Sequence, residues 1–316
     1  MSKRILANDG IDTTGKALLE KAGFTVITEK VPQEKLIEEL NAHRYEGLTV
    51  RSATKVRKDV IDACKHLKLI GRGGVGMDNI DVEYARSKGL QVVNTPAASS
   101  HSVAELVFAH LFNTVRFLYD SNRRMPLEGE TQFDALKKKY AKGIELKGKT
   151  LGIVGFGRIG QAVARIALGC GMKVEAFDPF IKEVLLDLEI QGAGKVSVKI
   201  ATLPMETLLK NSDFITLHVP GGKLITGKEI AAMKDGVILI NAARGGVIDE
   251  NDLIEALNSG KVAHAALDVF ESEPKPRTDI LKHPKISLTP HIGAATEEAQ
   301  ERIGIELAEL IIEKLK

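Results

Sequence analysis

Through the first third of the chain, short apolar runs alternate with stretches whose apolar residues recur every three or four positions. The runs Arg4 to Asn8, Phe24 to Thr28, Gly47 to Val50, Leu69 to Gly71 and Gln91 to Asn94 are short and predict buried strands. Helical periodicity falls near Lys16 to Ala22, Gln33 to Leu40, Lys58 to Lys65 and Val82 to Lys88. Such alternation predicts a parallel sheet covered by helices. It carries no glycine fingerprint, so this α/β domain differs in kind from the one that follows.

Near Pro96 the pattern gives way to the small, polar Ala97-Ala98-Ser99-Ser100-His101. A long helix is predicted from Ser102 to Tyr119, opened by the capping pattern Ser102-x-x-Glu105, and it marks a crossing between domains. Residues 121–148 are charged and poorly periodic, and Lys137-Lys138-Lys139 reads as a solvated face. Beyond them, Lys149 to Ile153, Lys173 to Phe177, Asp213 to Val219, Gly236 to Asn241, Ala263 to Phe270 and Ile286 to Thr289 predict the six strands of a doubly wound sheet, in the order 3-2-1-4-5-6. The last helical pattern, Thr296 to Leu315, is expected to return to the first domain. The expected fold is therefore α/β, with two doubly wound parallel-sheet domains. Residues 1–98 and 294–316 form a flavodoxin-like domain, residues 99–293 form a Rossmann domain, and two crossings leave a cleft between them.

Composition narrows the function. The chain has 316 residues, long enough for two domains, and 44 basic against 42 acidic residues. That balance argues against a nucleic-acid partner, which needs clustered positive charge. Cys64 and Cys170 have no paired or metal-like spacing and read as small core residues in a reducing compartment; no metal is expected. The N-terminus turns polar too soon for a signal peptide, and no apolar run approaches the roughly 20 residues that span a bilayer. A soluble cytoplasmic protein without a membrane partner is the expectation.

The chain's chemistry is organised around Val154-Gly155-Phe156-Gly157-Arg158-Ile159-Gly160, set between a predicted strand and a predicted helix. Strand, G-x-G-x-x-G, helix is the context of a dinucleotide fingerprint. Gly155 permits the tight turn, Gly157 lets the backbone approach a pyrophosphate, and Gly160 lets the helix lie close on the strand. Asp178 ends the next strand, where an acidic side chain accepts hydrogen bonds from the adenosine ribose and repels a 2′-phosphate, which selects NAD over NADP. The bland alternative is that Asp178-Pro179 only makes a turn.

Arg244, Glu273 and His291 lie where three later strands are predicted to end. Ligands of open α/β sheets bind outside those carboxyl ends. There, arginine supplies a carboxylate clamp, glutamate an orienting acid and histidine a proton donor. Singly, each has a structural reading as an ion pair, a turn or a packed imidazole. Together behind a fingerprint, they point to catalysis.

With Asn241-Ala242-Ala243-Arg244-Gly245-Gly246, Leu267-Asp268-Val269-Phe270 followed by Glu273-Pro274, and Pro290-His291-Ile292-Gly293 beside the fingerprint, nearly the whole chain resembles the D-isomer-specific 2-hydroxyacid dehydrogenases. Segments 50–56 and 71–81 are most similar to members that oxidise D-3-phosphoglycerate. The resemblance implies NAD as cofactor, with His291 moving the C2 hydroxyl proton, Glu273 holding the other imidazole nitrogen, and Arg244 binding the substrate carboxylate. It implies that Arg158 and Ile159 cover the pyrophosphate and that His218, Ala242 and Asp268 help to place the cofactor. Backbone amides at Gly74, Val75 and Gly76 are expected to cradle the substrate carboxylate, and Arg51, Lys55 and Arg72 to meet a phosphate. It also implies a homodimer formed through the NAD domain and, because the chain stops after the returning helix, little inhibition by serine. Two departures stand out: the segment of residues 127–142 lacks the family's usual aromatic-plus-basic pattern that includes Trp, and Val219-Pro220-Gly221-Gly222-Lys223-Leu224 replaces a Pro/Thr-rich loop. The alternatives are a glyoxylate or hydroxypyruvate reductase and a non-catalytic NAD-sensing protein such as a corepressor.

Overall fold

The structure is a computed structural model that describes residues 2–316. The chain divides into two compact units, one running up to Ser102 and resuming at Ala294–Lys316, the other spanning Val103–Gly293.

In the first unit, β1 (Arg4–Ala7), β2 (Thr25–Ile27), β3 (Gly47–Val50), β4 (Leu69–Arg72) and β5 (Gln91–Asn94) form a wholly parallel sheet in the order β2-β1-β3-β4-β5. That is the flavodoxin-like order. The central strands are buried on both faces, which is why they read as continuous apolar runs rather than alternating ones. The helix Glu297–Leu315 packs on this sheet through Leu307, Ala308 and Ile311. It crosses the helix Thr13–Lys21 so closely that a Cβ on Gly15 would stand 2.4 Å from the Gly304 carbonyl oxygen.

The second unit holds β6 (Thr150–Val154), β7 (Lys173–Phe177), β8 (Glu183–Ile190), β9 (Gly194–Ala201), β10 (Phe214–Leu217), β11 (Val237–Asn241), β12 (Val262–Leu267) and β13 (Ile286–Leu288). Six of these make a parallel sheet in the order β13-β12-β11-β10-β6-β7. The order 3-2-1-4-5-6, with β10 beyond β7, is therefore wrong. β10 pairs with β6, and the place outside β7 is held only by a parallel bridge from Ala176 to Thr202. The antiparallel hairpin β8–β9, absent from the sequence expectation, leads the chain to that edge. Its inner face sends Leu186 and Ile200 into the core, and its outer face carries Lys199–Glu183 and Lys195–Asp187 ion pairs at 2.8 and 2.7 Å.

Most of the charged, poorly periodic segment 121–148 is helical. A helix runs Leu118–Lys139, with Pro126 inside it and non-helical Gln132 marking a kink. Arg124 bridges Asp120 and Glu128 along one face, the four-residue spacing that steadies a polar helix. The preceding helix starts at Ser100 rather than after Ser102.

Candidate active site

The glycine turn leaves β6 with Gly155 at φ 92, where a Cβ would come 2.3 Å from the His218 carbonyl oxygen. This is the switch point of the sheet: the chain leaves β6 towards β7 and later returns on its other side as β10. Gly160 lies against Gly155, with its Cβ position 2.2 Å from that residue's oxygen. Nothing lies within 4 Å of the Cβ position on Gly157. The helix Arg158–Gly169 begins there without a side-chain cap, so the amides of its first turn and the positive end of its dipole face open space.

Asp178 does make a turn. One carboxylate oxygen accepts from the Phe180 and Ile181 amides at 2.9 and 3.1 Å, and the other accepts from Phe156 at 2.8 Å, tying the end of β7 to the glycine turn. An ionised carboxylate has about four acceptor sites, so this leaves capacity for a ribose hydroxyl. His218 closes the other side. Its Nε2 meets the Thr216 hydroxyl at 3.0 Å, and its buried Nδ1 has no protein partner. Burial pulls its pKa down to about 3, so the ring is neutral. Open space over Gly157, an uncapped helix start and an orphaned ring nitrogen together fit a dinucleotide.

Arg244, Glu273 and His291 follow β11, β12 and β13, three neighbouring parallel strands, and so lie along one edge of the sheet. Asn241 shapes the first turn, its side chain donating to the Arg244 carbonyl at 2.9 Å and accepting from Ala243 at 3.1 Å. Gly245 lets that turn close on the next loop, since a Cβ there would stand 1.8 Å from the Phe270 carbonyl oxygen. Ala242 is buried in the same turn. Glu273 accepts from the Phe270 amide at 3.0 Å through one oxygen and meets His291 Nδ1 at 2.8 Å through the other. An imidazole so held keeps its Nε2 for proton exchange with a ligand.

The Asp268 carboxylate is buried and turned onto the His291 loop. It accepts from the Thr289 hydroxyl at 2.7 Å and from the Ile292 and Gly293 amides at 2.8 and 2.9 Å. Behind Thr289 stands His110, from the helix Ser100–Val115. Sequence reasoning missed His110 and Thr289. The available signal was a polar residue within the apolar face of a helical pattern.

In the first unit, Arg51, Lys55 and Arg72 follow or end β3 and β4. Asp9 holds the turn that carries Arg51, accepting from the Arg51 and Thr54 amides at 2.7 and 3.0 Å, while Asn79 donates to the Arg51 and Thr54 carbonyls at 2.8 and 2.6 Å. Arg72 folds over Gly74, whose Cβ position lies 1.6 Å from Arg72 Nη1, and Arg51 Cγ lies 3.7 Å from that of Gly73. Lys55 is exposed. The expected amide cradle is smaller than supposed: the Gly74 amide donates to the Thr95 hydroxyl at 2.7 Å, which leaves Val75 and Gly76 for a ligand.

Residues 108–293 match the family model "D-isomer specific 2-hydroxyacid dehydrogenase, NAD binding domain". The chain belongs to that family. Its cofactor is NAD. It is 45% identical to the hydroxypyruvate reductase of Thermotoga maritima, over 99% of this chain and 98% of that one. It is 42% identical to the D-3-phosphoglycerate dehydrogenase of Methanocaldococcus jannaschii, covering 99% of this chain but 57% of that longer one. Among solved structures, the TT0316 protein from Thermus thermophilus superposes with a TM-score of 0.84 at 30% identity, covering 99% of this chain and 97% of that one.

Proposed function

We propose that this member of the family oxidises D-3-phosphoglycerate to 3-phosphohydroxypyruvate with NAD, the first step of serine biosynthesis, in the cytoplasm. The observation that carries this reading is the pair of arginines, Arg51 and Arg72, standing on the loop of residues 73–76 with Lys55 nearby in sequence. A phosphorylated hydroxy acid brings a dianion besides its carboxylate, and guanidinium groups bind phosphate in a bidentate way.

NAD, when bound, accepts the hydride from C2. His291 Nε2 takes the C2 hydroxyl proton, and the Glu273 carboxylate on Nδ1 holds the tautomer and stabilises the imidazolium that results. Arg244 binds the substrate carboxylate and polarises the C2 oxygen. In reduction, His291 returns the proton. Asp178 would hold the ribose, and the first-turn amides of Arg158, Ile159 and Gly160 would hold the pyrophosphate. His218, Ala242 and Asp268 line or support the rest of the cofactor site.

The second reading, hydroxypyruvate reduction, is favoured by the full-length relative from Thermotoga maritima. The two differ by one phosphate. Comparing kcat/KM for D-3-phosphoglycerate and D-glycerate with NAD, and for hydroxypyruvate with NADH, separates them. A preference for the unphosphorylated pair overturns the phosphoglycerate assignment. A homodimer is part of the same proposal: Leu118, Tyr119, Leu127 and Phe133 expose large apolar surface on the helix Leu118–Lys139. A monomer in light scattering at micromolar concentration removes it.

A further inference from the structure

The hydrogen bonds around His110 form one directed chain. The Asp268 carboxylate accepts from two amides and from the Thr289 hydroxyl, which gives it its single proton across 2.7 Å. That leaves Thr289 as the acceptor towards His110 Nε2 at 2.9 Å, which places a hydrogen on Nε2. His110 Nδ1 is then a lone pair facing the Ser287 hydroxyl at 2.8 Å, and Ser287 in turn accepts from the Asn113 amide at 2.8 Å. Every donor along Asn113, Ser287, His110, Thr289 and Asp268 points the same way, and the chain ends on the carboxylate that grips the two amides following His291.

We propose that His110 is a positioning residue for proton transfer, acting through Thr289 and Asp268 to hold the main chain on which His291 is presented to substrate. The His110 ring nitrogens bond Ser287 and Thr289 rather than Glu273 or His291, and the residue is buried, so we assign its effect to this relay. Burial lowers its pKa against the opposing pull of Asp268, the charged group that faces it, which keeps the ring neutral and the direction of the chain fixed. A neutral ring in one tautomer is a rigid spacer. It sets the height of Thr289, and with it the seat of Asp268 beneath a residue held in the left-handed region. This rests on the reading of His291 as the proton-transfer group.

The test is kinetic and spectroscopic on the full chain. His110→Phe should lower kcat about tenfold or more, because a displacement of an ångström at the reacting group costs up to roughly a hundredfold. KM for NAD should stay within about twofold of wild type, since the glycine turn is untouched. His110→Gln retains an N–H for Thr289 and should recover most of the loss. Should the buried phenylalanine not fold, Thr289→Val cuts the same relay and must give the same split. Nitrogen-15 spectra of the wild-type imidazoles should show one neutral Nε2–H ring through neutral pH that is absent from His110→Gln. Wild-type kcat in folded His110→Phe, a parallel loss of kcat and NAD affinity, or an Nδ1–H tautomer overturns the proposal. His291→Ala separates the two ideas. If it keeps turnover, the proton role fails; if it loses turnover and His110→Phe does not, only the positioning role of His110 fails.

Discussion

His291 Nδ1 stands 2.8 Å from Glu273 Oε2 while the His291 backbone holds the left-handed region at φ 55. A non-glycine residue in that region costs about 1–2 kcal/mol. The Asp268 carboxylate, gripping the Ile292 and Gly293 amides, offsets that cost and fixes where the imidazole points. The fold therefore maintains an unfavourable backbone state at the residue we propose as the proton-transfer group.

His291→Ala should lose about 10²–10⁴-fold in kcat, the usual contribution of a general acid–base group, and still bind NAD. Glu273→Gln keeps the shape but not the charge that stabilises an imidazolium, and should lose less. Steady-state kinetics with NAD titrations check both. Turnover of His291→Ala within about twofold of wild type removes the proton role.

Asp178→Ser should erode the preference for NAD over NADP, because the carboxylate both accepts from the ribose and repels a 2′-phosphate. Asp178 also ties Phe156, Phe180 and Ile181 together, so NAD affinity should fall as well. The ratio of kcat/KM for the two cofactors is the measurement. An unchanged ratio assigns cofactor choice to some other group.

Most of the parallel sheets was legible because strands buried on both faces write themselves as apolar runs, as β3 and β11 do. The hairpin β8–β9 was not. Its alternation of Val184, Leu186 and Leu188 with charged residues was present in the sequence, but Leu185 at an exposed position blurred it. Missing that hairpin is also what misplaced β10. At the site, residues that act by side-chain chemistry were visible, since arginine, glutamate and histidine after strands advertise themselves. Those that act by shape were not. Asn241 builds a local turn, while Thr289 passes a hydrogen bond to Asp268 and the Gly74 amide is taken by Thr95, both across 21 residues of chain.

Asp9 offers a test of the first unit through pH. Burial raises the carboxyl's pKa, but the Lys30 ammonium, the Arg51 amide and the Thr54 amide and hydroxyl outweigh it and hold the value below the ordinary 3.8. A depressed folded-state pKa stabilises the protein above 3.8, and that stability is lost as pH falls through the lowered value. Asp9→Asn should therefore cost about 1.5–3 kcal/mol at neutral pH, the scale of hydrogen bonds to a charged group. The difference from wild type should narrow below pH 3.8. Urea unfolding at stepped pH reads it directly, and a gap that stays constant into acid contradicts the role of the charge.

The last prediction concerns substrate choice. The Arg72 guanidinium lies over Gly74, and the Arg51 side chain passes beside Gly73 through its Cγ, on the loop whose Val75 and Gly76 amides remain for a ligand. If the two arginines meet the phosphate, removing either loses roughly 1.5–3 kcal/mol of charged hydrogen bonding, and KM for D-3-phosphoglycerate rises about tenfold or more. Hydroxypyruvate has no phosphate to lose, so its KM should move much less. Arg51 is the cleaner test. Its turn is held by Asp9 on the amides and Asn79 on the carbonyls, and neither uses the Arg51 side chain, so Arg51→Ala leaves the backbone in place. Arg72→Ala also removes the guanidinium packed on Gly74 and can loosen the loop itself. Loss on the phosphorylated substrate alone, in Arg51→Ala first, assigns the phosphate to this corner. Equal loss on both substrates means that the arginines support the carboxylate cradle, and hydroxypyruvate reduction becomes the better reading.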